Sequence, residues 1–477
     1  MKKILAAFTL GLLLIACGKK ELPVEKVTFG IEVLNPTEKV VVIEQLLPNV
    51  ELEKGVEPYV DTLELDSNNW VKIEREDLSE GYYAFTYDKH QWQVYLQPGK
   101  TLYAQLNGKE PETSLEYQGK LKKTANYLHE KNEVLKAVMK GLRPAFGYSE
   151  EEYLNYIDSS RKVLDSMLVQ FTTNNTRFNP EFMRRQELDN YYREAEWLVY
   201  YPMYRDYYVE GDSMPPLSEA FFEQLNSVNL NDTGALEVNQ YLSFLGTKIE
   251  QLSYEKINGN LEETQNDRYA WYRVPMEVAD SLFTDQKLRD YFFYKAAKDM
   301  VAYESPSIND SLYQVFANEC QNKAYEENIA KEIASWNKLK AGNPAPDFYG
   351  VTLDGDTVYL SDLKGKYVYI DVWATWCGPC LSEIPYLKDL EHDFKREVTF
   401  LSISIDQSES AWRYKVEEDH LKGIQIHANK EASKALSESY KIEAIPRFIL
   451  IDPEGNIVDA NAPRPSTGAD EFIANLL

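Results

Sequence analysis

The chain has 477 residues, with 51 Lys plus Arg against 77 Asp plus Glu, a net charge of −26. That length exceeds what one hydrophobic core organises, so several domains are expected. The acidity, with no basic run to offset it, excludes nucleic acid as a partner and reads chiefly as solubility.

Lys2 and Lys3 precede a mostly apolar run from Ile4 to Ala16, the form of a secretory signal and too short to span a bilayer. Leu14-Ile-Ala-Cys17 resembles a bacterial lipobox, which makes residues 1–16 a lipoprotein signal peptide and Cys17 the lipidated residue. The competing reading is ordinary signal-peptidase cleavage that discards Cys17. Residues 17–26 are a short polar tether, and Gly18-Lys19-Lys20 has no acidic run, which favours anchoring in the cell envelope facing the periplasm.

Residues 27–118 read as a β-rich domain. Val27–Val33, Tyr59–Leu65, Trp70–Ile73, Gly81–Tyr87, His90–Leu96 and Thr101–Leu106 alternate apolar and polar side chains, and turn residues separate several of them. Short strands at this spacing suggest an antiparallel β-sandwich-like domain. Its residues include no nucleophile, metal cluster or phosphate loop that names an activity.

Residues 119–340 read as an α-helical region. Tyr153, Leu154, Ile157, Leu164, Met167, Leu168 and Phe171 form a stripe at helical spacing. Trp197, Tyr200, Tyr201, Tyr204 and Tyr208 form another, with Pro202 expected to kink or interrupt it. Such a stripe is ordinarily interhelical packing, and the sharper reading is a groove for a peptide-like client. Cys320 stands apart from the other cysteines and is expected to be a buried, inert thiol.

Residues 341–477 alternate strand and helix patterns, an α/β unit. An Asp-Gly turn closes a hairpin within Val351–Leu360. Lys366–Trp373 is a buried strand holding one acid, Asp371, and Leu381–Leu390 places Ile384, Leu387 and Leu390 on one helical face. Between them stands Trp376-Cys-Gly-Pro-Cys380. This order puts Cys377 at a helix N-terminus, where unpaired amides and the positive dipole end lower a thiol pKa from about 8.5 toward 7 or below. Cys380, one turn deeper, is expected to be covered. A structural disulfide of this span closes little chain entropy, and a zinc site lacks its other ligands, so the pair reads as a redox dithiol.

Pro344-Ala-Pro-Asp-Phe348, Leu360–Lys366, Trp373–Cys380, Glu383-Ile-Pro385, Ile445-Pro446 and Ile451–Gly455 occur in an order that resembles the TlpA/ResA-like branch of the thioredoxin superfamily. The β and helical portions more loosely resemble Bacteroidetes-type lipoproteins carrying such a domain. The resemblance implies a C-terminal thioredoxin-like fold, with Cys377 as attacking thiolate and Cys380 as resolving thiol. It implies a cis Ile445-Pro446 bond facing them, and client contact through Trp376, Gly378, Pro379, Ile445 and Pro446. Asp371 or Glu383 is then the acceptor of the Cys380 proton, Glu383 being equally readable as a solvated helix residue. Asp371 matches thioredoxin itself; its position in the TlpA/ResA branch is often neutral.

A Gly-Pro dipeptide between the cysteines resembles reducing members. Thioredoxin and DsbA, at about −270 and −120 mV, differ by roughly 7 kcal/mol. Outside the cytoplasm a dithiol at the lower potential needs electrons delivered through the membrane, for which the family implies a DsbD/CcdA-type donor. Disulfide-containing client proteins, apocytochrome c among them, are the partners implied. An oxidase or isomerase, and a client-binding lipoprotein with an auxiliary redox domain, are the alternatives.

Overall fold

A computed structural model of the protein describes residues 25–174, 178–208, 215–260, 267, 269–303 and 310–477. The signal-like segment, Cys17 and most of the tether lie outside them. The chain forms two compact units. One comprises the described residues through Leu47 with Glu57–Arg143 and Ser159–Met183; the other comprises Pro48–Val56, Pro144–Asp158 and Arg184–Leu477. Among the described residues no helix is long and apolar enough to cross a membrane.

The first unit holds strands β1 (Val27–Leu34), β2 (Val40–Leu46), β3 (Val60–Glu64), β4 (Trp70–Arg75), β5 (Gly81–Tyr87), β6 (His90–Leu96), β7 (Thr101–Asn107) and β8 (Glu116–Gln118). They form two four-stranded sheets, ordered β4-β1-β7-β8 and β3-β2-β5-β6. Alternating residues of β1, β4 and β7 turn inward, and Phe29 and Phe85 lie 5.4 Å apart, so one apolar cluster serves both sheets. Asp88, at φ 54°, opens the two-residue turn that joins β5 to β6.

The expected all-antiparallel arrangement is corrected at one pair, because β1 runs parallel to β7. The chain passes through the other sheet before it returns to β1, and so long a connection permits parallel pairing. The second unit's helical part packs around aromatic side chains. Tyr153 stacks on Tyr201 with ring centres 4.0 Å apart and donates to Trp197 O at 2.6 Å. The helix Pro180–Tyr204 continues through Pro202 and tightens into a 3₁₀ turn at Arg205–Tyr208.

The rest of that unit is a seven-stranded sheet of β9 (Tyr349–Thr352), β10 (Thr357–Tyr359), β11 (Tyr367–Trp373), β12 (Val398–Ser404), β13 (Ile424–His427), β14 (Arg447–Ile451) and β15 (Ile457–Asp459). The order is β10-β9-β13-β12-β11-β14-β15. β12 runs parallel to β11 and β13, while β14 runs antiparallel to β11. The hairpin expected from Asp354-Gly355 is β9–β10, with Gly355 at φ 90°. Paired on both sides, β11 is central, and its apolar run reflects burial on both faces. Its C-terminal end delivers the cysteine motif.

Candidate active site

The helix Gly378–Phe394 begins immediately after Cys377, which is its N-cap. Pro379 occupies the first turn, where its missing N–H costs no helical bond. The Cys380 amide donates to Cys377 Sγ at 3.1 Å. An amide aimed at the sulfur and the positive end of the helix both favour a thiolate at Cys377 when the pair is reduced. The two cysteines are joined as a disulfide, both almost wholly covered at 5% and 4% exposure. Trp376 beside them is 67% exposed, and Gly378 faces open space.

The Ile445-Pro446 bond is cis, as expected. Ile445 O lies 3.7 Å from Cys377 Sγ, so this loop meets that sulfur. Cys377 and Cys380 share an apolar cluster with Trp373 and Trp412, and Ile445 packs against it.

Asp371 is buried in β11, two residues before Trp373. Burial pushes its carboxyl up to about 7; the negative charge of Glu383 adds to the rise and a hydrogen bond from Ser402 opposes it. A small cleft lined by Asp371, Trp373, Lys388, Ser402 and Lys422 opens beside it. Glu383 is also buried rather than solvated. It accepts from Ser466 N at 3.0 Å and Ser466 Oγ at 2.8 Å, so both oxygens tie the cysteine helix to the turn Pro465–Thr467.

One residue of the site escaped the sequence reading. Asp406, buried just beyond β12, accepts from Thr375 N at 2.9 Å, Thr375 Oγ1 at 2.7 Å and Ser404 Oγ at 2.8 Å. These bonds fix the turn that presents Cys377. A single acid after an apolar strand gives no sequence signal for such a role.

The aromatic stripe divides. Trp197 and Tyr201 are buried, whereas Tyr204 and Tyr208 are exposed, as is Tyr207 between them, outside the stripe, at 85%. With Tyr254 they line a cleft of about 560 Å³ bordered by Glu250 and Glu255. Cys320 is buried, and burial pushes its thiol up to about 12. It is an inert thiol at neutral pH.

A central strand feeding two vicinal cysteines at a helix N-terminus, opposite a cis-proline, defines a thioredoxin-fold redox protein. Comparison with known proteins agrees. The Redoxin family model matches residues 340–475. The thiol-disulfide oxidoreductase ResA of Bacillus cereus is 33% identical over 128 residues, covering 27% of this chain and 72% of that protein. ResA of Oceanobacillus iheyensis is 37% identical over 135 residues, covering 27% and 69%. A crystal structure of a thiol-disulfide oxidoreductase from Bacteroides vulgatus aligns at 42% identity with a TM-score of 0.28, over 29% of this chain and 99% of that one. The chain belongs to the ResA family of thiol-disulfide oxidoreductases.

Proposed function

We propose that the protein is a lipid-anchored oxidoreductase of the cell envelope that reduces the disulfides of client proteins facing the periplasm. The observation that carries this reading is the placement of Cys377 Sγ between the Cys380 amide and the Ile445 carbonyl. The Cys377 thiolate attacks one sulfur of the client disulfide, and the other leaves as a thiolate. Asp371, held near neutrality in its pKa, takes the proton of Cys380. Cys380 then attacks Cys377 Sγ, the protein's own disulfide forms, and the client's two thiolates take up the proton held by Asp371 and one from solvent to leave as a dithiol. Two electrons from a DsbD/CcdA-type membrane donor restore the starting state. Trp376, Gly378, Pro379, Ile445 and Pro446 supply the client contact, with Ile445 offering its backbone to an extended strand. Lipidation at Cys17 holds the protein at the membrane.

Insulin reduction tests the chemistry. Cys377→Ser is expected to abolish turnover, and Cys380→Ala to accumulate mixed disulfides that mass spectrometry identifies. Equal trapping by both variants would show that the nucleophile is misassigned.

A second reading, in which the N-terminal portion selects the client, is favoured by the cleft at Tyr204, Tyr207, Tyr208 and Tyr254. Tyrosine faces with Glu250 and Glu255 at the border suit an extended segment bearing Lys or Arg. Tyr207→Ala is then expected to slow reduction of a basic client and leave a small disulfide unaffected; equal rates on both would remove the cleft from the function.

A further inference from the structure

Two cations, Lys441 and Arg447, bound the loop that carries Ile445 and Pro446, and a tryptophan from before the redox fold lies against both. Trp336 ends the helix Lys323–Trp336, is fully buried, and donates its indole N–H to Val301 O at 2.7 Å. Lys441 Nζ and Arg447 Cζ lie 5.8 and 6.0 Å from its ring centre. Lys441 reaches two more side chains of that helix, forming an ion pair with Glu332 and donating to Ser335 Oγ at 2.6 Å.

The loop is fixed through these ends. Lys441 caps the helix Lys430–Tyr440 in a left-handed conformation, φ 51°, and there the chain turns into the loop. Arg447 opens β14 opposite Val372 of β11. Just before Lys441, Tyr440 donates its hydroxyl to Pro346 O at 2.7 Å. Between the two cations the chain brings Ile445 O to within 3.7 Å of Cys377 Sγ. A cation packed on a covered indole face is held more firmly than one in water, and an ammonium that also meets a carboxylate and a hydroxyl has little freedom left.

We propose that Glu332, Ser335 and Trp336 form a brace that sets the position of the cis-proline loop, so that residues outside the redox fold govern how well a client strand docks beside Cys377. The proposal rests on the exchange reading given above. Glu332, Ser335, Trp336 and Lys441 are positioning residues, because they act through the loop and not on the reacting sulfurs. A client that must pair with Ile445 depends on the brace. A small aromatic disulfide that reaches the sulfur without pairing does not.

The test uses the full-length protein, with insulin and with 5,5′-dithiobis(2-nitrobenzoate). The double variant Glu332→Gln, Ser335→Ala alters only half-exposed contacts of the helix and leaves the redox fold's own residues intact. It is expected to raise the KM for insulin roughly three- to ten-fold, a loss in keeping with small misplacements of a docking surface. Its reaction with the small disulfide is expected to stay within about two-fold of wild type, since that route needs no loop pairing. Lys441→Gln is expected to behave alike, and Lys441→Arg to restore the wild-type KM. Trp336→Phe, which keeps an aromatic face, is expected to fall between. Unchanged insulin KM in the double variant and in Lys441→Gln, with unfolding temperatures matching wild type, would overturn the brace alone. Equal losses on both disulfides would overturn it too, since they would mean general damage to the sulfur site. A wild-type protein that reduces neither substrate would instead defeat the exchange reading, and the brace with it.

Discussion

Asp406 holds Thr375 by both its amide and its hydroxyl, at 2.9 and 2.7 Å, two residues ahead of Cys377. The same carboxylate accepts from Ser404 Oγ, and the Asp406 backbone carbonyl lies 2.7 Å from Nε2 of buried His427, which stacks on Trp412. The turn before the cysteines is therefore built from the ends of β12 and β13 as well as from its own sequence.

Asp406→Ala leaves the Thr375 amide, its hydroxyl and Ser404 Oγ without their acceptor. An unsatisfied buried donor costs about 1–3 kcal/mol, and a total near 3 kcal/mol is expected. Urea unfolding measures it, and insulin turnover should fall with it. A loss under about 0.5 kcal/mol would show that solvent replaces the carboxylate.

The cysteine motif, the strand before it and the proline opposite were legible because each is a local pattern: a β-branched run, a fixed spacing, an Ile-Pro before a strand. Strand β2, Val40–Leu46, went unread although three valines and an isoleucine open it, and nothing local signals the parallel β1–β7 pair. The contacts that escaped are those made between distant residues. Ser335 meets Lys441 across 106 positions, and Asp406 meets Thr375 across 31. Periodicity reports which face of an element is buried but not what lies against it. Glu383 illustrates the difference, since its place after Cys380 could be read while its burial against Ser466 could not.

Glu383→Gln removes one of the two acceptor oxygens engaged by Ser466. A stability loss of about 1–2 kcal/mol is expected, with the pH profile of insulin reduction moved slightly toward acid, because the Glu383 charge no longer helps raise the Asp371 carboxyl. Ser466→Ala should cost a similar amount, and the double variant less than the sum, because the two residues share one interaction. Release of client from the mixed disulfide slowed about 10²-fold in Glu383→Gln would make this carboxylate a proton acceptor after all.

Cys17 lies outside the described residues, and its lipidation is tested directly. Labelled palmitate should enter the wild-type chain and not Cys17→Ala, and the wild type should sediment with membranes. Absence of label from both would return Cys17 to a cleaved signal.

Stability and catalysis are expected to respond oppositely to one substitution at Asp371. Its folded-state pKa of about 7 is raised chiefly by burial, against about 3.9 in an unfolded chain. Between these values the folded state binds more protons than the unfolded state, so this group lowers stability as pH rises from about 4 to 7, and the full cost persists above that range. At about 1.36 kcal/mol per pH unit the cost at pH 8 is on the order of 4 kcal/mol. Asp371→Asn removes the ionisable group, so it should stabilise the protein at pH 8 and change little at pH 4, as measured by urea unfolding at both values. An equal gain at both pH values would locate the effect in packing instead. On the proposed mechanism the same variant has no base for the Cys380 proton. Release of client from the mixed disulfide at pH 7–8 should therefore slow by about 10²-fold, the lower range for loss of a positioned base. Quenched-flow trapping of the intermediate follows that step. A variant both more stable at pH 8 and slower in release identifies the buried charge as a cost to folding that serves proton transfer. One that is more stable yet equally fast would assign the proton to another acceptor.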